Sequence, residues 1–318
     1  MNQQIKMATH VKVVKHASST SSTSVFELGS FSVEALKLKK LEHGCPSPLL
    51  ILSPKVDGQY PVLVFINGFG LENSDYTVLL THVASHGFIV AAPQVWTITP
   101  SFDYGEMDCV VNVTNWLSDG LPPLLPPKVE PNLQKLGLCG HSRGGKTAFS
   151  LIASKSVDKS LNFSALIGVD PVMGFAKVLQ TQPDLLTFKP NSLDMGMPVM
   201  VVGMGLSSEW NVLCPPCSPA GVNHQEVYSE CQAPCYHFVA KDFGHMDVID
   251  DNPEDPIGAI ASCMCKKGDQ GRRDLLRRCV GGLIVAFLEA NWEGESGDLN
   301  AVIDDPDIAP VAIDRELK

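Results

Sequence analysis

No uninterrupted apolar run in this chain exceeds about ten residues, the longest being Pro61–Ile66 and Cys279–Leu288. A membrane-spanning helix needs roughly 20, so no transmembrane segment is expected, which leaves peripheral contact with a lipid surface open. Basic charge is scarce: 24 Lys and Arg against 35 Asp and Glu give a net charge of -11. No basic stripe tracks along the sequence, so nucleic acid is not an expected partner. The densest basic cluster, Arg272, Arg273, Arg277 and Arg278, opens an apolar helix pattern and reads as the solvated face of that helix. Ten cysteines in 318 residues are too few for a disulfide framework. Cys214, Cys217, Cys231 and Cys235 do have the spacing of a zinc ribbon. Pro215 and Pro216, however, restrict the turn whose N–H groups would support the metal thiolates. Reduced structural thiols are therefore expected, ahead of a single disulfide, with zinc last.

The first 26 residues also lack arginine, acidic side chains and an apolar core, which disfavours a secretory signal. What they contain is Lys6, Lys12, Lys15 and a Ser/Thr run over Ser18–Ser24. That composition predicts a disordered N-terminal tail over residues 1–30 with some transit-peptide character. A single domain is expected over 31–295, and a C-terminal tail over 296–318. The overall composition is that of an ordinary globular protein, 44% hydrophobic and 19% charged.

Beyond the tail, strand and helix patterns alternate. Pro61–Ile66 is a continuous β-rich apolar run, as a strand buried on both faces requires. Ser74–His86 has helical spacing and is ended by Gly87. Further strands are read at Phe88–Ala91, Leu133–Cys139, Ser164–Val169, Pro198–Gly203 and Tyr236–Ala240. Helices are read at Tyr104–Leu117, Lys146–Ala153 and Leu275–Ala290. Such alternation implies βαβ units and a mostly parallel sheet with helices on both faces. The stretches Cys214–Gln232 and Asp250–Lys267 read as irregular insertions near the carboxyl edge, where ligands bind in such sheets.

Gly140-His141-Ser142-Arg143-Gly144 fits G-x-S-x-G directly after an apolar strand and directly before a helix. In that context it is the nucleophile elbow of the α/β-hydrolase fold. The turn is too tight for side chains two positions either side of the serine, and the serine hydroxyl projects above the sheet. Serine needs a base, and the base needs an orienting acid, in the chain order Ser, Asp or Glu, His. Three histidines follow Ser142. His237 lies inside a strand pattern and reads as a core histidine. His224 lies in an irregular insertion. His245, in Phe243-Gly244-His245-Met246 after the last strand, is the expected base. Asp170 ends a strand and is the expected acid, ahead of Glu209, which lies several residues beyond one. Asp247, Asp250 and Asp251 read as solvating the histidine loop. The oxyanion donors are expected to be the backbone N–H groups of Phe69 and Arg143.

On these residues the chain resembles the plant chlorophyllases, members of the α/β-hydrolase superfamily. The resemblance rests on Gly140-His-Ser-Arg-Gly-Gly-Lys-Thr-Ala-Phe149, Ala165-Leu-Ile-Gly-Val-Asp-Pro-Val172 and Ala240-Lys-Asp-Phe-Gly-His-Met-Asp247. Ala84-Ser-His-Gly-Phe-Ile-Val90, Ala92-Pro-Gln94 and Cys263-Met-Cys-Lys266 also look like the family. Its triad falls on Ser142, Asp170 and His245. The resemblance implies hydrolysis of the phytyl ester of chlorophyll without a metal or organic cofactor, the magnesium belonging to the substrate. It further implies a chloroplast location, with the cytosol as the alternative. Asn67 departs from the histidine that many such hydrolases carry before the oxyanion glycine. Phe69, Met173, Phe175 and Trp210 are candidates for an apolar pocket or for plain core. The competing expectations are a general carboxylesterase or lipase, and a ligand receptor built on the same scaffold.

Overall fold

The structure, a computed structural model of the chain, describes residues 24–95, 105–154, 162–251 and 263–318. Its sheet is organised by strands too apolar to face water. In β3 (Gly58–Ile66) the side chains of Val62, Val64 and Ile66 enter one core layer, and those of Leu63 and Phe65 enter the other. Period-two alternation with both faces apolar forces helices onto both sides. The remaining strands are β1 (Val33–Leu38), β2 (Leu49–Pro54), β4 (Ile89–Pro93), β5 (Val129–His141), β6 (Phe163–Val169), β9 (Val199–Met204), β10 (Cys235–Ala240) and β11 (Ile313–Leu317). Together they form a nine-stranded sheet ordered β1-β2-β4-β3-β5-β6-β9-β10-β11. Strands β4 through β10 in that order run parallel, and β1, β2 and β11 add antiparallel edges. A small hairpin, β7 (Gly174–Ala176) with β8 (Leu179–Gln180), follows β6.

Helices α1 (Thr77–Ser85), α5 (Arg273–Trp292) and α6 (Gly297–Asp304) cover one face. Helices α2 (Gly105–Gly120), α3 (Arg143–Ala153) and α4 (His224–Glu230) cover the other. Each strand and helix read from the sequence has a counterpart here, with ends shifted by up to four residues. Tyr104, the expected start of α2, lies outside the described residues.

Both expected tails need correction. Ser24–Phe26 form a 3-10 turn, and Val25 and Phe26 are buried in the core. His82 Nε2 lies 2.7 Å from the Val25 carbonyl, and Arg278 Nε donates to the Phe26 carbonyl at 2.9 Å. Gly282 makes room for this turn, since a Cβ there would lie 2.5 Å from the Phe26 ring. The expected tail residues 1–23 lie outside the described residues. At the other end, α6 and β11 are built from what read as a tail. β11 pairs with β10 over Tyr236–Ala240, covering an edge that would otherwise present unpaired N–H and C=O groups. Lys318 then caps the carboxyl end of α4, its Nζ donating to the carbonyls of Tyr228, Ser229 and Cys231. The acidic sequence of this segment hid it, because an exposed edge strand needs only one buried residue, here Ile313.

Truncating Phe26 to alanine should lower the unfolding free energy by about 3 kcal/mol, the usual cost of emptying a buried phenylalanine site. Chemical denaturation measures this. An unchanged midpoint would return residues 24–30 to the status of a tail.

Candidate active site

Ser142 stands alone between the end of β5 and the start of α3, with φ 57° and ψ -124°. A non-glycine residue in such a conformation costs about 1–3 kcal/mol and persists only where its surroundings enforce it. Here they do. Ser142 N–H donates to Val169 O, and its carbonyl accepts from Lys146 N and Val172 N. The elbow glycines allow the close approach. A Cβ on Gly140 would sit 2.3 Å from the Gly144 carbonyl, and one on Gly144 would sit 2.3 Å from that of Ile66.

The hydroxyl projected by this turn meets the two other residues picked from the sequence. Ser142 Oγ lies 2.8 Å from His245 Nε2, and His245 Nδ1 lies 2.6 Å from Asp170 Oδ2. Asp170, at the end of β6, is wholly buried. Burial alone would raise its carboxyl pKa. The hydrogen bond from His245, with the neighbouring histidines, outweighs burial and holds the pKa below the ordinary carboxylate value. Its second oxygen accepts from Met204 N and Ser207 Oγ, each at 3.3 Å. Glu209, the alternative acid, is exposed.

The loop carrying His245 is tied down by groups that the sequence reading left in solvent. Asp247 is buried, and its Oδ2 accepts from Gly244 N and Gly268 N, both at 2.7 Å. Its Oδ1 accepts from Gln270 Nε2 at 2.8 Å. Arg273 and Arg277 are buried as well and donate to carbonyls of the same loop, among them Ile249 O at 2.7 and 2.9 Å. They are therefore not the solvated face of α5. Asp247 solvates nothing. A run of charge looks like surface until its partners are known, and most of the partners here are backbone N–H and carbonyl groups that carry no sequence signature.

The loop after β3 closes the site from the other side. A Cβ on Gly68 would lie 3.2 Å from Ser142 Cβ, so this loop, which carries Phe69, packs against the serine that Arg143 follows. Asn67 is buried and organises this loop. Its Nδ2 donates to Leu71 O at 2.6 Å and Gly68 O at 3.2 Å, and its Oδ1 accepts from Val95 N at 3.1 Å. An amide thus supplies both donor and acceptor where the departure from histidine had put the loop in question. Beneath it, buried Glu106 of α2 accepts from Thr147 Oγ1 at 2.6 Å and from Arg143 Nη2 at 3.3 Å, fixing the first turn of α3.

A family model described as Chlorophyllase matches residues 21–317. The chain belongs to the chlorophyllase family. It is 42% identical over 302 residues to Chlorophyllase-1 of Arabidopsis thaliana, covering 93% of each protein. Chlorophyllase-2 of the same plant is 43% identical over 302 residues, covering 90% of this chain and 94% of that one. "Chlorophyllase-1, chloroplastic" of Citrus unshiu is 38% identical over 301 residues, covering 93% and 88%. The family is one of carboxylic ester hydrolases with the α/β-hydrolase architecture, which the sheet described above fits.

In this chlorophyllase-family chain the cysteine expectation changes. Cys217 is bonded to Cys265, not to one of the three cysteines grouped with it by spacing. The ribbon-like set is thereby broken. Cys231 and Cys235 are buried thiols, and Cys214 is a partly exposed one. The disulfide staples the loop after β9 to the loop after β10. Part of the expected insertion at Asp250–Lys267, residues 252–262, lies outside the described residues. His224, read within an irregular stretch, instead begins α4 and lies 2.9 Å from His237 through ring nitrogens. Of the apolar pocket candidates, Met173 is core, whereas Phe69, Phe175 and Trp210 are exposed.

Two outcomes follow from this geometry. Replacing Asp247 by alanine leaves two backbone N–H groups without their acceptor, at about 1–3 kcal/mol for each buried group. Thermal unfolding should shift down and ester turnover should fall more than tenfold, and an active, equally stable variant would show that the loop does not depend on this carboxylate. The second concerns pH. Burial lowers the pKa of His141 to about 3 and those of His82 and His237 to about 4. The unfolded chain therefore binds up to three more protons than the folded one between those values and about 6.5, so stability rises with pH there. Burial also raises the Asp250 carboxyl to about 6, so the folded chain holds one proton there that the unfolded chain lacks. Unfolding free energy measured from pH 7 to pH 4 should therefore fall with a slope of about two protons, and a flat profile would contradict the burial of these rings.

Proposed function

We propose that this chain hydrolyses the phytyl ester of chlorophyll to chlorophyllide and phytol, with Ser142 as nucleophile, His245 as base and Asp170 as orienting acid. The observation that carries the reading is the continuous Asp170–His245–Ser142 hydrogen-bond chain at a strained elbow in a member of the chlorophyllase family. Ser142 Oγ attacks the ester carbonyl carbon as its proton passes to His245 Nε2. The oxyanion so formed faces the N–H groups of Phe69 and Arg143, and removing one such donor typically costs roughly 10²–10³ in rate. His245 returns the proton to the phytyl oxygen as the C–O bond breaks and phytol departs. Water then loses a proton to His245 and adds to the acyl carbon. Ser142 regains the proton as chlorophyllide leaves, and Asp170 stays ionised throughout.

A substrate carrying a phytyl chain resides in an apolar phase, and the molecule has apolar side chains exposed beside the site. Trp210, Val212, Leu213 and Met264 are all exposed on the two loops joined by Cys217–Cys265. Val212 has φ 56°, a left-handed conformation that a β-branched residue rarely adopts, at the tip of a turn bridged between Asn211 and Cys214. These features support peripheral contact with a lipid surface during substrate pickup. The relatives named chloroplastic, together with the lysine-bearing, Ser/Thr-rich first 26 residues, support action in the chloroplast.

The test is chlorophyllide formation from purified chlorophyll by the wild type and by Ser142→Ala. Product from the former and at least a thousandfold less from the latter is expected. Cleavage of simple esters through Ser142 without action on chlorophyll would leave a general carboxylesterase. For the lipid contact, co-sedimentation with uncharged-lipid vesicles should fall at least fivefold in a Trp210→Ser, Val212→Ser, Leu213→Ser variant. Equal sedimentation of the two proteins would remove that part of the reading.

A further inference from the structure

Two buried side chains that the proposed chemistry does not use connect its three moving parts. His141 precedes the serine at the end of β5, and Tyr76 precedes α1, and neither has any exposed surface. Gly68 N–H donates to the Tyr76 hydroxyl oxygen at 3.0 Å. That hydroxyl lies 2.7 Å from His141 Nδ1, and His141 Nε2 lies 3.0 Å from the main-chain carbonyl of His245.

The direction of every bond in this chain is forced. A carbonyl oxygen only accepts, so His141 Nε2 carries a hydrogen. Burial, first of all, and the neighbouring His245 hold His141 neutral, so its Nδ1 is bare and must accept. The Tyr76 hydroxyl therefore donates to Nδ1 while its oxygen receives the Gly68 N–H. Burial also keeps the Tyr76 proton in place by raising its pKa well above the ordinary tyrosine value. One tautomer of one ring satisfies all three partners, whereas the other would turn a bare Nε2 towards the His245 carbonyl and leave that acceptor without a hydrogen.

We propose that Tyr76 and His141 form a one-way hydrogen-bond relay that positions the His245 loop and the oxyanion loop against the elbow as one unit. The relay rests on the Ser142, His245 and Asp170 reading given above. It begins at Gly68, one residue before the proposed oxyanion donor Phe69, and passes through the residue before the nucleophile. It ends on the backbone of the base. The rings reinforce it: His141 lies 4.7 Å from the His245 ring between centroids, and Tyr76 packs 4.8 Å from Phe65 of β3. A neutral ring beside His245 suits a base that becomes positively charged each time it takes the serine proton. Both are positioning residues, since neither touches the reacting atoms.

The test is Tyr76→Phe, which removes one oxygen and leaves the ring packing intact, beside His141→Gln and His141→Leu. Losing one buried hydrogen bond in the relay should lower kcat roughly tenfold while KM for a soluble aryl ester stays within about twofold. The glutamine amide retains a donor for the His245 carbonyl, so His141→Gln should exceed His141→Leu in kcat when the two melt at similar temperatures. The low-field proton resonance of the His245–Asp170 bond, sharp in the wild type, should broaden or shift in Tyr76→Phe. If Tyr76→Phe keeps wild-type kcat and an unchanged resonance, the relay is overturned, whatever Ser142→Ala does. If Ser142→Ala keeps its activity, the triad reading fails, and the relay is then judged by the resonance alone. A broadened or shifted resonance supports it and an unchanged one overturns it.

Discussion

The arrangement turns on one buried negative charge. Asp170 has no exposed surface, and a carboxylate in such a place is tolerated only where hydrogen bonds replace its water. His245 does so from the loop after β10, and the Met204 amide and Ser207 do so from the end of β9 and the loop that follows it. The charge therefore gathers its own surroundings. It requires the loop after β9 to turn back through Ser207, and it requires the loop after β10 to bring an imidazole within 2.6 Å. Burial holds the nearby rings of His141 and His237 neutral.

Around that charge the backbone is compressed. Gly140 and Gly144 are placed where any side chain would collide with backbone of the elbow or of the end of β3, and a side chain at Gly68 would crowd Ser142 and His141. Asn67 and Glu106 are buried polar residues whose partners are all loop or helix-start atoms. Strain at Ser142 is thus distributed over a dense set of short contacts from β3, α2 and α3. The polar groups of the site are organised before any substrate arrives, which is the condition for electrostatic stabilisation of a developing oxyanion without reorganisation.

Much of this was legible in the sequence, and for identifiable reasons. Apolar runs such as Pro61–Ile66 and Pro198–Gly203 allow few structures besides a doubly covered strand. The elbow, with a strand before it and a helix after it, leaves little freedom for Ser142. Asp170 and His245 could be picked because each stands just past a strand end, and the fold brings both within hydrogen-bonding distance of one another. What could not be read were elements whose stability comes from distant partners. β11 is acidic and becomes a strand only because β10 offers an edge. Arg273, Arg277 and Asp247 looked like surface because many of their partners are backbone groups more than twenty residues away. Cys217 was grouped with its sequence neighbours, whereas its partner lies 48 residues away. His141 and Tyr76 carried no signal, since a histidine inside a motif is read for the motif and an aromatic at helical spacing is read as core.

The bond between Cys217 and Cys265 also divides the chain by connectivity. It closes a covalent ring that contains α4, β10 and His245, while Ser142 and Asp170 lie outside it. In the oxidised unfolded chain His245 is already confined to a loop of fixed circumference, together with the strand that will carry it. The remaining entropy of assembly falls on the earlier strands, which must bring Ser142 and Asp170 to this ring. The molecule is in this sense two topological pieces, one linear and one closed. The ladders of β10 with β9 and β11, and the hydrogen bonds of His245 with Ser142 and Asp170, lie along the seam between them.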